Sequence, residues 1–259
     1  LSDIMNKHNK ESFLSLDRKS ILTEINQSLD SYYNNELGGD YGKTKRFKSA
    51  FKNIAETVAE VMLHLQEELS QSDFVPKDFE YSIGTDGNQK PKKITVADGK
   101  EIYFIGTIDR IDTYTNGGKT FLRVIDYKSG TKTFSFDDLL YGVNMQMLLY
   151  LFTLTDGKGK YGDTVPAGVL YMPAKWTDAG LSRYPDSSEI SDAKNKTYKM
   201  NGVVLENEEI IEAMEKNVQG IYIPVKKTKE AFAKYSKLIT DKQLENLRMY
   251  SEELLKSMA

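Results

Sequence analysis

Residues 102–152 constrain the fold of this 259-residue chain more than any other stretch. Two apolar runs, 102–111 and 120–127, flank Asn116-Gly117-Gly118. Such a sequence lets a chain double back as an antiparallel hairpin. We therefore predict a β-hairpin at the centre of the fold.

Both arms of this hairpin carry an aspartate in an apolar setting. The first run reaches Asp109, and the second ends at Asp126-Tyr127-Lys128. Because successive side chains of a strand point to opposite faces, Asp126 and Lys128 project to the same side. The pattern predicts a carboxylate and an ammonium together at the strand end, with a second carboxylate nearby.

The flanking sequence predicts an α/β fold. The predicted elements are, in order, a helical region over 1–72, strands over 78–83 and 92–96 that form a meander with the hairpin, a helix over 139–154, a strand over 167–172, a loop over 177–199, a helix over 206–217, an edge strand over 221–225 and a terminal helix over 241–259. We expect an N-terminal helical region, 1–75, packed on an α/β core, 76–259, within one structural domain.

Composition excludes several classes of protein and site. With 39% hydrophobic and 28% charged residues, the chain has no apolar run near the roughly 20 residues that a membrane span needs. It has no cysteine, so it cannot ligate an iron–sulfur cluster through cysteine thiolates. The absence of a signal peptide predicts a cytoplasmic location, and Leu1 in first position predicts a fragment of a longer protein.

The net charge of −3 does not indicate nucleic-acid binding, but four local clusters are basic. They lie at 43–48, 90–93, 194–199 and 226–229. Any cluster that folds to one side could follow a phosphate backbone. Solvated surface lysines are the alternative for each cluster.

The chemistry of the hairpin residues predicts a divalent-metal site. Two adjacent carboxylates repel each other, and a hard cation such as Mg²⁺ or Mn²⁺ offsets that repulsion. Asp109, Asp126 and the backbone carbonyl of Tyr127 are the expected ligands. Lys128 would hold or activate a water molecule and stabilise charge on phosphate oxygens. These parts predict phosphodiester hydrolysis.

Each of these residues also has a purely structural interpretation. Asp109 could form a surface salt bridge with Arg110 or Arg123, and Lys128 could simply begin a turn. On the following helix, Gln146 and Tyr150 share a face, and they could be ordinary polar positions. The ordered combination of all these residues favours the metal site.

Three segments resemble a known family: GTIDRID (106–112), VIDYKSG (124–130) and YGVNMQMLLYL (141–151). They resemble the PD-(D/E)xK nuclease superfamily in its RecB-like branch, and are most similar to the C-terminal nuclease domains of AddB (RexB) subunits of bacterial helicase–nucleases. The resemblance extends over nearly the whole chain. It implies a mixed central sheet flanked by helices, metal binding by Asp109 and Asp126, catalysis by Lys128, and support of the site and DNA contact by Gln146 and Tyr150.

Two features depart from the RecB-like pattern. A histidine on the first helix usually binds metal, but Asn6 occupies that position here and His8 lies two residues away. Many AddB proteins also carry an iron–sulfur cluster ligated by four cysteines, which this cysteine-free chain cannot supply.

The resemblance implies a Mg²⁺- or Mn²⁺-dependent exodeoxyribonuclease that takes a single DNA strand from a helicase subunit, in double-strand-break repair and recombination. The alternative is a DNA-binding or assembly module that kept the fold and lost cleavage. Asn6 supports that alternative, whereas Asp109, Asp126 and Lys128 argue against it.

Overall fold

The N-terminal part of the chain is helical, as the sequence predicts. A computed structural model describes residues 2–39, 44–96, 99–130, 133–157, 159–175, 184–229 and 231–257. Its first helices are α1 (Ser2–Lys7), α2 (Lys10–Leu14), α3 (Arg18–Asn35) and α4 (Lys45–Ser70). Helices α2 to α4 begin where the side chains of Asn9, Asp17 and Thr44 accept backbone N–H groups.

Eight strands follow or alternate with the later helices in the described residues. They are β1 (Val75–Ile83), β2 (Lys92–Thr95), β3 (Glu101–Phe104), β4 (Gly106–Asn116), β5 (Lys119–Lys128), β6 (Val165–Pro173), β7 (Asn201–Leu205) and β8 (Leu238–Ile239). The main sheet has the order β1-β4-β5-β6-β7-β8, and β2 pairs with β3 in a separate sheet. The β5–β6 and β7–β8 pairs are parallel and the other pairs are antiparallel. The sheet is therefore mixed, as predicted.

The remaining helices are α5 (Phe136–Leu140), α6 (Gln146–Leu154), α7 (Ser187–Tyr198), α8 (Glu208–Met214) and α9 (Asp241–Ser257), with a short 3-10 helix at Lys216–Val218. Helix α6 packs against β5 and β6, and α4 contributes buried residues to the same continuous core as the sheet. No described helix combines the length and apolar character needed to cross a membrane.

The central hairpin is confirmed, with Gly117 and Gly118 at its turn and both at positive φ. The prediction starts the first arm too early: β4 begins at Gly106, and residues 101–104 pair with β2 instead. The predicted meander is wrong at this point: β1 occupies the edge of β4, so β2 and β3 form their own small sheet. Asp98-Gly99 in the sequence predicts a turn between β2 and β3, and Asp98 lies outside the described residues.

The predicted helix over 139–154 is two helices. Gly142 and Asn144 have φ values of 72° and 63°, a conformation that an α-helix cannot continue. Helix α6 therefore begins at Gln146, immediately after the break.

The prediction of a loop over 177–199 is wrong for residues 187–198, which form α7; residues 176–183 lie outside the described part. The Asp186 side chain accepts the N–H of Glu189 and caps the helix. Tyr198 is buried against His64 of α4, with ring centroids 4.9 Å apart. Two buried residues in a polar sequence are too few to give a clear helical period.

The predicted edge strand over 221–225 is also wrong. The buried Glu215 carboxylate accepts the backbone N–H groups of Ile221, Tyr222 and Ile223 (2.9–3.1 Å). These donors therefore bind a side chain, and the sheet continues with β7 and β8, which the sequence did not predict.

Candidate active site

A row of carboxylates crosses three adjacent strands. The register of the β1–β4 ladder places Glu80 opposite Asp109. The β4–β5 ladder, which pairs Arg110 with Ile125, places Asp109 opposite Asp126 when extended by one residue. Neighbouring strands are about 4.8 Å apart, so the register concentrates negative charge at one place in the sheet.

Asp109 is attached to the neighbouring strand through its side chain. The regular β4–β5 pairing ends at Arg110 and Ile125. One residue beyond Arg110 on β4 and two beyond Ile125 on β5, the backbone N–H of Tyr127 donates to Oδ2 of Asp109 at 2.8 Å. This bond fixes one carboxylate of the row against the strand that carries the D-x-K pattern.

Asp126 and Lys128 lie together, as predicted. The Nζ atom of Lys128 is 2.5 Å from Oδ2 of Asp126. The Asp126 side chain is 15% exposed and that of Lys128 is 38% exposed, so the pair lies at the border between protein and solvent. Oδ2 of Asp126 is buried and has no hydrogen-bond donor in good geometry among the described residues.

The surroundings of Asp109 disfavour its charge. Burial raises the pKa of the Asp109 carboxyl above its usual range, and the hydrogen bond from Tyr127 opposes this rise. The negative charges of Asp126 and Glu80 raise the pKa further, while Lys128 lowers it. A cation bound between these carboxylates would remove the repulsion.

This donor set fits a small, hard divalent cation. Carboxylate oxygens lie near one another, and the buried Oδ2 of Asp126 has an ion pair with Lys128 but no hydrogen bond among the described residues. No group of three or more His, Cys, Asp or Glu side chains in the described residues is arranged to hold a metal unaided. Mg²⁺ suits such a site, because it commonly takes one or two carboxylates and completes its shell with water and phosphate oxygens.

Beyond Asp126, polar residues that are not carboxylates continue the same line across β6 and β7. Asp126 pairs with Tyr171, and Tyr171 pairs with Asn201. Burial raises the pKa of Tyr171 to about 12, and the charge of Asp126 adds to the rise. Tyr171 is therefore a neutral phenol beside the Asp126 carboxylate at physiological pH.

Gln146 and Tyr150 form a hydrogen-bonded pair, with Nε2 of Gln146 donating to the Tyr150 hydroxyl at 2.8 Å. The same hydroxyl lies against Gly106: a Cβ atom added there would be 2.1 Å from the oxygen. The pair thus lies beside β4, three residues before Asp109. No hydrogen bond joins it to Asp109, Asp126 or Lys128 in the described structure.

The proposed surface salt bridge of Asp109 with Arg110 or Arg123 is absent from the described contacts, because both arginines are fully buried and bind other acids. Arg110 makes a bidentate pair with Asp112 (2.6 and 2.5 Å), and Arg123 donates to Asp112 at 2.9 Å. Glu68 of α4 accepts from both arginines, at 3.2 and 2.6 Å. We call these four residues the buried ion cluster.

The buried ion cluster contains two positive and two negative side chains. Its members on β4 and β5 are close in sequence to Asp109 and Asp126. Burial opposes ionisation of Asp112, but the guanidinium groups of Arg110 and Arg123 outweigh it and hold the pKa of Asp112 below its usual range. The hydroxyl of Tyr127, between Asp126 and Lys128, is buried beside Arg110, and burial raises the pKa of this phenol. Arg110 and Arg123, whose side chains lie on the opposite face of the sheet from Asp109 and Asp126, therefore anchor β4 and β5 to Glu68 of α4.

The first helix does not bring a histidine to the row. Nε2 of His8 lies 2.9 Å from Glu24, and its Nδ1 lies 3.3 Å from the hydroxyl of Ser12. Asn6 is exposed and lines a surface groove between α1 and α3. The part of α1 that reaches the row is Ser2, whose hydroxyl donates to Glu80 at 3.0 Å.

Glu80 is the residue of the row that sequence reasoning missed as a site residue. Its φ of 49° is uncommon for a residue other than glycine, and such strain often marks functional positions. The sequence signal was an acidic residue in the middle of a strand. Its partner across the sheet could be identified only from the register.

A family comparison over residues 11–258 matches the PD-(D/E)XK nuclease superfamily. This chain belongs to that superfamily. The triplet Asp126-Tyr127-Lys128 agrees with the letters (D/E)XK in the description of that family. The mixed sheet flanked by helices confirms the fold class predicted from the sequence.

Within the superfamily, similar chains are named as one subunit of an ATP-dependent helicase/deoxyribonuclease. The protein from Ruminiclostridium cellulolyticum is 34% identical over 90% of this chain and 20% of its own length. Those from Thermoanaerobacter sp. and Clostridioides difficile are 28% and 26% identical over all of this chain, and over 23% and 24% of their own lengths. The chain thus spans only a fifth to a quarter of these curated relatives.

Proposed function

We propose that this chain is a divalent-metal-dependent deoxyribonuclease domain, with its active site at Asp109, Asp126 and Lys128. The observation that carries the proposal is the meeting of these three side chains at the end of β5. Two carboxylates lie opposite each other and an ammonium is 2.5 Å from one of them. Membership of a nuclease superfamily supports the same chemistry.

The chain's own residues divide the work. Asp109, Asp126 and the carbonyl of Tyr127 would hold a Mg²⁺ or Mn²⁺ ion, with Glu80 adding negative charge. When bound, the ion would supply a Lewis acid that polarises the phosphate. Lys128 would orient the attacking water and stabilise negative charge on the phosphate oxygens. The N–H of Tyr127 holds Asp109 in place.

The proposed setting is a larger helicase–nuclease. The relatives' names contain both a helicase and a deoxyribonuclease, and the chain matches one part of them. We infer that a helicase subunit supplies a single DNA strand to the domain, that the cut is exonucleolytic, and that the complex acts in the cytoplasm in DNA repair and recombination. Gln146, which is exposed, would contact the DNA strand, and Tyr150, which is buried against β4, would support the site.

The alternative is a DNA-binding or assembly module without cleavage. One observation favours it. His8 is held by Glu24 and Ser12, and the position expected to carry a histidine is Asn6, which is exposed, so no imidazole from this segment reaches the row. This alternative predicts DNA binding that does not depend on Asp126 or Lys128.

The test is cleavage of end-labelled single-stranded and duplex DNA in Mg²⁺, Mn²⁺, Ca²⁺ or EDTA, by the intact chain and by Asp126→Ala. We expect cutting only in Mg²⁺ or Mn²⁺, and loss of cutting in the variant. Cleavage that persists in EDTA or in Asp126→Ala would contradict the proposal. DNA binding by both proteins, without any cleavage, would support the alternative.

A further inference from the structure

Two of the basic clusters, distant in sequence, meet in one surface groove. The groove has a volume of about 530 Å³ and lies between the C-terminal half of α7 and the segment after α8. Its lining residues include Asp192, Lys196, Lys199, Lys226 and Lys227. We call it the α7 groove.

Three of its four lysines have no acidic partner in the described structure. Lys227 is paired with Glu208 and Glu212 outside the groove. Lys196, Lys199 and Lys226 form no ion pair within 4.0 Å among the described residues. Against these three lysines stands Asp192, the acidic residue among those that line the groove, so the groove carries an excess of positive charge that the overall charge of the chain conceals.

An exposed aromatic ring lies beside Lys199, next to the residues that line the groove. Nζ of Lys199 lies 6.0 Å from the ring centroid of Tyr235, which is 61% exposed. Lys199 is partly buried, and burial lowers the pKa of its ammonium; Glu215 opposes this effect and Lys226 adds to it. Exposed rings beside lysines are the combination with which proteins bind single-stranded nucleic acid.

The α7 groove lies at the same end of the sheet as the carboxylate row. Asp126, Tyr171 and Asn201 are neighbours across three strands, so Asn201 is about 10 Å from Asp126 at the usual strand spacing. Lys199 precedes Asn201 by two residues. The segment that leaves β5 after Lys128 also returns to this point, since the N–H of Phe134 donates to Oδ1 of Asn201 (2.6 Å).

We propose that the α7 groove binds the phosphate backbone of a single DNA strand a few nucleotides away from the phosphate that is cut at the proposed active site. Lys196, Lys199 and Lys226 contact phosphates, and Tyr235 offers a face on which a base stacks. This inference rests on the proposed function for its substrate, and it places the path of the DNA strand across the sheet from Asp126 towards the start of β7.

The test is binding of a fluorescein-labelled 20-nucleotide oligo(dT) in EDTA, measured against salt concentration. The variant is Lys196→Ala/Lys199→Ala/Lys226→Ala, and the control is Lys19→Ala/Lys119→Ala/Lys242→Ala, which removes the same charge from exposed positions elsewhere. We expect Kd to rise about tenfold for the groove variant. Because each phosphate contact on a single strand adds roughly 0.7 to the slope of log K against log salt, that slope should fall by about 2.

Equal Kd values and equal slopes for the two triple variants would overturn the inference. The binding assay needs no cleavage, so its result is separate from that of the proposed function. An intact chain that never cuts DNA but loses binding in the groove variant would reject the nuclease and keep the groove. A chain that cuts DNA and binds equally with either triple variant would keep the nuclease and reject the groove.

Discussion

The backbone amide of Tyr127 donates a hydrogen bond to the side chain of Asp109, at the point where regular pairing between β4 and β5 has ended. A carboxylate thus takes the place of a backbone acceptor. This hydrogen bond, made between two groups of the protein, sets the position of Asp109 relative to Asp126 and Lys128.

Asp109→Asn should stabilise the folded chain at neutral pH. The raised pKa of Asp109 means that the folded state binds the proton more tightly than the unfolded state, so stability falls as pH rises through the range between the ordinary and raised pKa. An amide removes the charge and can still accept from Tyr127. We expect a gain on the order of 0.5 kcal/mol at pH 7 in urea unfolding, and none below the ordinary carboxyl range.

The matched control is Asp30→Asn on the exposed surface of α3. It should change the unfolding free energy little at either pH. A destabilised Asp109→Asn at pH 7 would show that the carboxylate stabilises the fold, contrary to this prediction.

Gly106→Ala should disturb the Gln146–Tyr150 pair. The new Cβ would lie 2.1 Å from the Tyr150 hydroxyl, and side chains cannot tolerate such an approach. We expect a loss of about 1–3 kcal/mol in the free energy of unfolding. In a Tyr150→Phe background the colliding oxygen is gone, so the same substitution should cost less. Equal costs in the two backgrounds would contradict the assigned contact.

Arg110→Leu should be severely destabilising, because it leaves the buried carboxylates of Asp112 and Glu68 with Arg123 as their remaining partner in the buried ion cluster. Breaking a buried pair in this way typically costs about 3–5 kcal/mol. Arg18→Leu, which removes an exposed arginine paired with Glu56 and Glu60, should cost less than about 1 kcal/mol. Urea midpoints compare the two; similar losses would show that burial of the cluster does not matter energetically.

Glu80→Gln should weaken metal-dependent cleavage. The substitution removes one negative charge from the row while keeping the side chain's size and its acceptor for Ser2. If Glu80 helps to attract the cation, the Mn²⁺ concentration for half-maximal cleavage should rise several-fold, with little change in stability. An unchanged metal titration would remove Glu80 from the site and leave Asp109 and Asp126 in it.

The part of the site that could be predicted is the part that is local in sequence. Apolar runs around a glycine turn predict β4 and β5, and alternation places Asp126 beside Lys128. Gln146 and Tyr150 are one helical turn apart, so their pairing also follows from spacing. These relationships need no knowledge of the rest of the chain.

The missed features depend on tertiary partners. Glu80 joins the row only through the register between β1 and β4, and Arg110 and Arg123 are buried because Glu68 arrives from a distant helix. Residues 221–223 read as a strand because they are apolar. Their backbone donors bind the carboxylate of Glu215, which no pattern in that segment reveals.

The most direct test of the site is the rate at which Lys128→Ala cuts end-labelled single-stranded DNA in Mg²⁺, compared with the intact chain and with Lys119→Ala at the far end of the same strand. Lys119 carries the same charge but lies at the hairpin turn. We predict a loss of about 100-fold or more for Lys128→Ala, with unchanged circular dichroism, and a normal rate for Lys119→Ala. A folded Lys128→Ala that cuts at the rate of the intact chain would contradict the proposed active site.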